Sequence, residues 1–400
     1  MSQYFDDEGK VKLFSEEFAR CPQPVYAELR ERCPVARSHI GDQPVISRYE
    51  DVVWALRHPE IFSSEMELQA ALGTERPMIP QQIDPPAQTR YRRLLDPYFS
   101  RRKMEALIPG IREQAGALID SFVDRGHCEF DSEFAVPLPC TAFLQLLGLP
   151  LDRLDFFLEI KDDIIRPHIR HTELKDLDAM KQVRVDAGQR MYAYFEEVIA
   201  ERRGAPGSDL LSDLVQGEID GERLSETEML DICFLLLLAG LDTVTATLGC
   251  NLAYLAANPD QRERIVSDPA LIPSAVEELL RWETPVTAVP RVIKQDVEIC
   301  GVALKAGEFA SLLLGSANTD GSHFEDPTRV DFNRERNVHA AFGVGPHRCL
   351  GSHLARMELQ VAMEEWHRRI PVYRIPEGEV PRYSTGIREV LHLPLEWDVA

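Results

Sequence analysis

The chain is poor in the features that announce several large classes of protein. Its eight cysteines (Cys21, Cys33, Cys128, Cys140, Cys233, Cys250, Cys300 and Cys349) include no Cys-x-x-Cys pair. That excludes a zinc ribbon and a disulfide scaffold, and it reads as reduced thiols in a cytoplasmic protein. Positive charge is scarce: 44 Lys and Arg face 66 Asp and Glu, a formal net charge of −22. A general nucleic-acid binder and a polybasic membrane patch are therefore not expected. Long apolar runs are missing too. The longest clean one, "ICFLLLLAGL" at 232–241, is half the roughly 20 residues a bilayer span needs. The start, "MSQYFDDEGKVKLF", has no basic stretch leading into an apolar one, so neither a signal peptide nor a membrane anchor is expected. Low-complexity segments and internal repeats are absent. What remains is an ordinary composition, 44% hydrophobic and 28% charged, in a chain long enough for a large core.

Helical periodicity dominates. Short amphipathic helices are expected at 22–32 and 50–57 around a strand pair at 35–48. "DPPAQTRYRRLLDPYF" starts a helix at its prolines, which suit a first turn. Further helices are expected at 102–124, 133–147, 152–165 and 175–203, and "GAPGSD" at 204–209 is a turn. Ser225 and Glu228 form a capping-box pattern and Asn258-Pro259 a stop, which predicts one helix of about 30 residues, on the order of 45 Å long. Strands are expected at 291–299, 301–304, 308–314 and 388–394, and a last helix at 350–370. The fold class is mainly α with small β-sheets. Residues 1–400 read as a single domain, with a β-rich lobe mainly at 33–48, 291–314 and 380–396.

One cysteine sits in an unusual setting, "AAFGVGPHRCLGSHLARMEL" at 340–359. An isolated cysteine is most often a small buried hydrophobe, and that suits Cys140, Cys233 and Cys250. It suits Cys349 badly, because a core position does not need Gly343 and Gly345 before it and Gly351 after it. Glycines permit a tight loop and close backbone approach to something bulky. A helical pattern (Leu350, Leu354, Met357, Val361) begins at the cysteine, and a helix N-terminus lowers a thiol's pKa. A thiolate serves as nucleophile or as metal ligand. His347 is near, but nothing completes a catalytic triad, and zinc would need more ligands. A single thiolate beneath a haem iron needs only itself and amide hydrogen bonds.

"FGVGPHRCLG" resembles the haem-thiolate signature of the cytochrome P450 family, F-G-x-G-x-H-x-C-x-G, with Phe342, Gly343, Gly345, His347, Cys349 and Gly351 at its fixed positions. The resemblance implies a haem b whose iron takes the Cys349 thiolate, and it extends in order from about 22 to 394. "AGLDT" is similar to the family's acid–alcohol pair on the helix crossing the distal haem face. Asp242 is notable without that likeness: no Lys or Arg lies between 224 and 261, and an unpaired buried carboxylate is costly. Gly240 inside a helix and Thr243, able to bond back to the Ala239 carbonyl, point to a local opening. The resemblance assigns Asp242 to proton delivery through water and Thr243 to holding the oxygen-derived ligand. "AVEELLR" resembles the family's structural E-x-x-R motif, Glu278 and Arg281, with Arg329 as expected third partner and Arg334 as the substitute. The haem propionates are expected to meet Arg92, Arg291, His347 and, where many members carry histidine, Gln88.

The pocket implied by the resemblance is lined by Met78, Ile79, Leu235, Leu238, Ala239, Thr287, Val289 and Ile387. These are mostly apolar and suit a small or medium hydrophobic substrate. "IIRPHIRHTELK", Arg76 and Arg388 are basic and pocket-adjacent, able to meet a carboxylate, although most such charges are surface residues. The function implied is a monooxygenase that puts one atom of O2 into a C–H or C=C bond. Its electrons would come from a separate [2Fe–2S] ferredoxin and its reductase, because the sequence shows no flavin or iron–sulfur segment. A peroxide-driven peroxygenase and a non-catalytic haem-thiolate sensor are the alternatives, and both are disfavoured by the intact Asp242-Thr243 pair. Residues 90–103 carry Arg90, Arg92, Arg93, Arg101, Arg102 and Lys103 against Asp96 alone. With Arg348 and Arg356 they are the expected ferredoxin-docking face.

Overall fold

Alternating apolar residues at 35–46 and 289–312 become the strands of a mixed sheet in the computed structural model, which describes residues 3–13, 15–66, 72–74, 76–171, 176–384 and 386–399. Contacts divide the chain into two compact units. One comprises Met1–Phe62, Arg101–Leu138 and Thr243–Ala400, the other Ser63–Ser100 and Pro139–Asp242.

In the first unit the sheet order is Val35–Arg37, Pro44–Ile46, Phe309–Leu312, Val289–Ile293, Phe62–Ser63. The second and third of these strands run parallel and the pairs flanking them antiparallel. Val35, Ile46, Ile293 and Leu312 face a common core with Val52 and Leu56 of the helix Tyr49–Arg57. The register follows the period-2 burial of these residues, since a one-residue slip would turn them outward. A second hairpin, Val297–Ile299 with Val302–Leu304, turns at Cys300 and Gly301, both with positive φ. The helices Ile108–Asp120, Thr243–Ala257, Ile272–Glu283 and Ser352–Arg369 supply the rest of the core. Its centre is Trp366, fully buried among Phe122, Phe130, Phe134, Tyr373 and Trp397. Truncating such a side chain costs about 3–5 kcal/mol.

In the second unit the 28-residue helix Leu177–Gly204 packs on Leu154–Ile165 and Glu226–Gly240. Phe157 and Tyr194 meet edge to face across the first contact, and Tyr192 stacks on Phe234 across the second. Gly188 has a definite reason: a Cβ there would collide with the Gly73 carbonyl, so the 72–74 segment lies directly on the helix backbone.

The expected 30-residue helix is interrupted. Glu226–Gly240, opened by the Ser225–Glu228 capping box, ends with Leu241 as its C-cap, and a second helix, Thr243–Ala257, begins one residue after Asp242. The remaining expectations correspond closely. Residues 102–124 form two helices, Arg101–Glu105 and Ile108–Asp120, and 133–147 a π-turn at Asp131–Ala135 followed by Pro137–Leu147. The last helix is Ser352–Arg369.

Candidate active site

The cysteine loop belongs to the first unit. Gly343 and Gly345 have φ of +66° and +75°, a region other residues enter at a cost. A Cβ on Gly345 would also lie 2.6 Å from the Leu56 carbonyl oxygen, so only glycine fits. The Gly343 N–H donates to the Ala340 carbonyl at 2.8 Å, and the Cys349 N–H donates to the Phe342 carbonyl at 2.8 Å. These bonds fold the loop back so that Cys349 stands two residues before Gly351, the N-cap of the helix Ser352–Arg369. The helix thus starts just beyond the thiol, where its dipole favours negative charge.

The donor set fits a thiolate-bound metal group. Cys128, Cys140, Cys233 and Cys250 are buried, and burial pushes the thiols of Cys128 and Cys250 far up and that of Cys233 to about 12. Cys300 is exposed but bonded to Asp51, and its pKa is raised by burial and by that acid. Cys349 is exposed, lies in the glycine loop, and stands two residues before Gly351, at which a Cβ would meet nothing within 4 Å. Arg291, on the strand Val289–Ile293, is largely buried and donates to the Pro290 carbonyl at 2.7 Å. His347 lies in the loop itself, two residues before the cysteine.

Behind the loop stands the E-x-x-R pair. Arg281 donates to Glu278 twice, at 2.9 and 2.7 Å, with both side chains out of water. Arg281 also caps the carbonyls of Asn318, Pro327 and Arg329. The Asn318 side-chain oxygen accepts the Ala340 N–H at 2.6 Å, which ties the network to the start of the cysteine loop. The expected third partner is corrected here. The Arg329 side chain is exposed and 3.8 Å from Asp331, and only its carbonyl joins the network. Arg334 takes the place, with Nε at 3.1 and 3.2 Å from Glu278. The chain turn at Asp331 brings it there, the Asp331 N–H itself bonding Glu278 at 2.9 Å.

Thr243 is the first residue of its helix, and its carbonyl accepts the Thr247 hydroxyl at 2.7 Å. Thr287, Val289 and Ile387 are half-buried in the same unit. Val289 packs against the sheet core. Thr287 borders a cavity of about 10 Å³ with Phe18, Pro22 and Arg388, room for about one water and no organic substrate. Arg388 is not available to a substrate acid: it is buried and bonded to Glu283 at 2.7 Å.

In the second unit Asp242 is 1% exposed and paired. Arg166 Nη2 and, at 3.2 Å, Lys161 Nζ both reach its Oδ1. Both cations are buried, and both also approach Asp162, at 3.0 Å from Lys161 and 3.4 Å from Arg166. Burial, and then the Arg166 charge, hold the Lys161 pKa below its usual value. The reading that Asp242 has no partner thus applied only to its own helix. Arg166 comes from the basic cluster that had looked like surface. Arg76 is likewise engaged, 2.8 Å from Asp231 and stacked on Tyr192.

Gly240 is required because a Cβ there would lie 2.5 Å from the Phe143 ring. The Cys140 thiol donates to the Leu241 carbonyl at 3.3 Å, serving a group at the interruption of the helix. Met229–Leu237 are all buried, whereas Leu238 is half-buried and Ala239 exposed, so the helix surface opens where the apolar lining was expected. Leu235, by contrast, is core, as are Met78 and Ile79. Gln88 and Arg92 lie on the helix Ala87–Leu95. Gln88 is buried, and Arg92 pairs with Asp96 at 2.9 Å.

The family description "Cytochrome P450" matches residues 161–386. The chain is 39% identical over 356 residues to a probable cytochrome P450 127A1 of Sinorhizobium fredii, covering 88% of this chain and 83% of the relative. It belongs to the cytochrome P450 family. A steroid C26-monooxygenase of Mycobacterium tuberculosis is 36% identical over 359 residues, 89% of this chain and 88% of the relative. The structure of CYP109E1 from Bacillus megaterium in complex with testosterone superposes with a TM-score of 0.87 at 30% identity, over 96% of this chain and all of the other. The mainly helical architecture with small sheets is that of the P450 fold, and the chain is a P450 monooxygenase, of a family that carries haem iron on a thiolate.

Proposed function

We propose that this P450 binds haem b through the Cys349 thiolate and oxidises a small or medium hydrophobic substrate with electrons from a separate [2Fe–2S] ferredoxin. The observation that carries the reading is the glycine loop that puts Cys349 just ahead of a helix N-terminus, with its amide already bonded to Phe342. His347 and Arg291, with Gln88 and Arg92, are the residues proposed to hold the propionates. Bound there, the haem supplies O2 activation. The chain's own part is to hold and move protons. Thr243, at a helix start, presents a hydroxyl, and Asp242 is the acid from which protons are relayed through water. That this pair is intact supports the O2-driven route over a peroxide-driven one.

The substrate class rests on lining chemistry and on likeness. The opened helix surface at Leu238 and Ala239 is apolar. The relatives named for steroids make a polycyclic hydrocarbon skeleton the first class to screen. A carboxylate on the substrate is less favoured, because Arg76, Arg166 and Arg388 all have acidic partners.

The deciding experiment is spectroscopic. Reduced, CO-bound protein is expected to absorb at about 450 nm, the band that the P450 family's thiolate ligation would give if Cys349 held the iron. Cys349→His should abolish that band, and a mutant that kept it would move the ligand to another cysteine. NADH-driven turnover with ferredoxin and reductase, set against peroxide-driven turnover, separates the monooxygenase from the peroxygenase.

A further inference from the structure

Beside the cysteine loop lies a second ionic cluster that neither the signature nor the E-x-x-R pair uses. Glu277, adjacent to Glu278 on the helix Ile272–Glu283, points to other partners. The Arg356 guanidinium grips its carboxylate with two bonds, Nε to Oε1 at 2.6 Å and Nη2 to Oε2 at 2.9 Å. His339 approaches the same carboxylate with Nε2, 3.1 Å from Oε2. The Ala341 N–H donates to His339 Nδ1 at 3.2 Å, which makes Nδ1 an acceptor and leaves Nε2 to donate to Glu277. Held this way, Arg356 lies over the Phe342 ring with its guanidinium carbon 4.3 Å from the ring centroid. Burial alone would raise the Glu277 carboxyl, but the bonds from His339 and Arg356 outweigh it and hold it at about 2.

Three consecutive links therefore lead to the cysteine. Glu277 fixes Arg356 and His339, these fix Phe342 and Ala341, and the Phe342 carbonyl carries the Cys349 N–H at 2.8 Å. We infer that Glu277 is a positioning residue for the Cys349 thiolate, acting through the Arg356 cation clamped against Phe342. The inference rests on Cys349 being the iron ligand. A guanidinium over a ring contributes about 0.5–2 kcal/mol, and a bidentate carboxylate fixes its plane, so geometry is the main product of the cluster. A partner bonded directly to a metal ligand, as Phe342 is to Cys349, typically alters metal affinity by about 10–100-fold, and Glu277, two links further out, is expected at the low end of that range.

The test uses the haem-loaded enzyme and three variants. In Glu277→Gln the amide replaces the carboxylate with little change of shape, in Glu277→Asp the charge stays, and in Arg356→Met the cation leaves Phe342. Haem transfer to excess apomyoglobin is timed, and the ~450 nm band of the CO complex is followed in parallel. Glu277→Gln and Arg356→Met are expected to lose haem about 10-fold faster and to lose the ~450 nm band on standing, with Glu277→Asp restoring most of both. A merely structural residue would lower the melting temperature without moving the band. Should Glu277→Gln fail to fold, Arg356→Met decides alone, since it leaves the Glu277–His339 bond in place. Wild-type haem release and a stable band in Arg356→Met would overturn the inference. A wild-type enzyme without the band, or a Cys349→His variant that keeps it, would instead overturn the ligand assignment.

Discussion

Asp242 and Arg166 are 76 residues apart in the chain and share a buried ion pair, with Lys161 as a second cation on the same carboxylate oxygen. The other oxygen, Oδ2, is buried with no hydrogen-bond partner among the described residues. Removing one member of a buried pair costs about 3–5 kcal/mol when it leaves the other charge alone, and Lys161, 3.2 Å from the same oxygen, holds the cost at Asp242 to the low end of that range. Arg166→Leu is expected to destabilise the protein by that order in urea unfolding at pH 7. Adding Asp242→Asn to it should recover at least half of the loss, because the stranded charge is then gone. A cost below about 1 kcal/mol for Arg166→Leu would mean the carboxylate is served from elsewhere.

Thr243 and Asp242 are expected to separate in their effects on turnover. With Thr243→Ala the hydroxyl at the helix start is lost, and NADH consumption should continue while product falls and hydrogen peroxide rises. Asp242→Asn should slow NADH consumption itself, since the acid that feeds protons is removed, by about 10²-fold or more. Product and NADH measured together distinguish the two. Full coupling in Thr243→Ala would assign the proton-holding role to another group.

These two residues also mark what a sequence can disclose. Gly240 and Thr243 gave away an opening in the helix, because glycine and threonine disturb a helix through their own backbone chemistry. The packing cause, the Phe143 ring against Gly240, was invisible because it lies about a hundred residues away. The partners of Asp242 were hidden for the same reason, and Arg166 was masked further by its basic neighbours. In the E-x-x-R network the pair itself was legible at i, i+3 spacing. The choice between Arg329 and Arg334 was not, since it depends on a loop turning at Asp331 so that one arginine offers its side chain and the other only its carbonyl. Helix and strand positions were legible wherever a 3.6 or 2.0 period ran unbroken. The Cys349 loop was the clearest feature, since Gly343 and Gly345 are required by backbone geometry within a few residues.

Glu358, on the helix that begins after Cys349, is 2% exposed, and its Oε1 has no hydrogen-bond partner among the described residues. Burial pushes its carboxyl well above the ordinary 4.5. With the folded value above the unfolded one, its contribution to stability is complete below about pH 4.5 and is lost as pH rises toward the folded value. Unfolding free energy should therefore fall, relative to Glu358→Gln, by up to about 1.4 kcal/mol per pH unit above 4.5. His367 works in the opposite direction: burial holds it at about 4, so its stabilising contribution is lost as pH falls from 6.5 to 4. Comparing Glu358→Gln with the parent at each pH cancels the histidine. A difference that stays constant from pH 5 to 8 would show that Glu358 is ionised in the native protein.

The ferredoxin prediction is narrowed by the ion pairs seen in the structure. Of the six basic residues at 90–103, Arg92 is paired with Asp96 and Arg101 with Glu105, while Arg90 faces Asp220, Glu222 and Glu228. Arg356 is held by Glu277. Arg93 is exposed on the helix Ala87–Leu95, Arg102 and Lys103 are exposed on the helix Arg101–Glu105, which packs against Ser352–Arg369, and Arg348 is exposed in the cysteine loop. The field at this face is registered by His353, whose pKa is lowered by burial and then by Arg348, Arg356 and Arg101. Over a Debye length of about 8 Å such a patch can attract an acidic ferredoxin, the kind of donor expected at this face, despite the chain's own net charge of −22. Arg102→Glu with Lys103→Glu is expected to cut ferredoxin-dependent reduction about 10-fold at low ionic strength, and the deficit should shrink as salt is raised. Substrate binding, read from the Soret shift, should not change. A reduction rate indifferent to both the charge reversal and the salt would place the donor on another face.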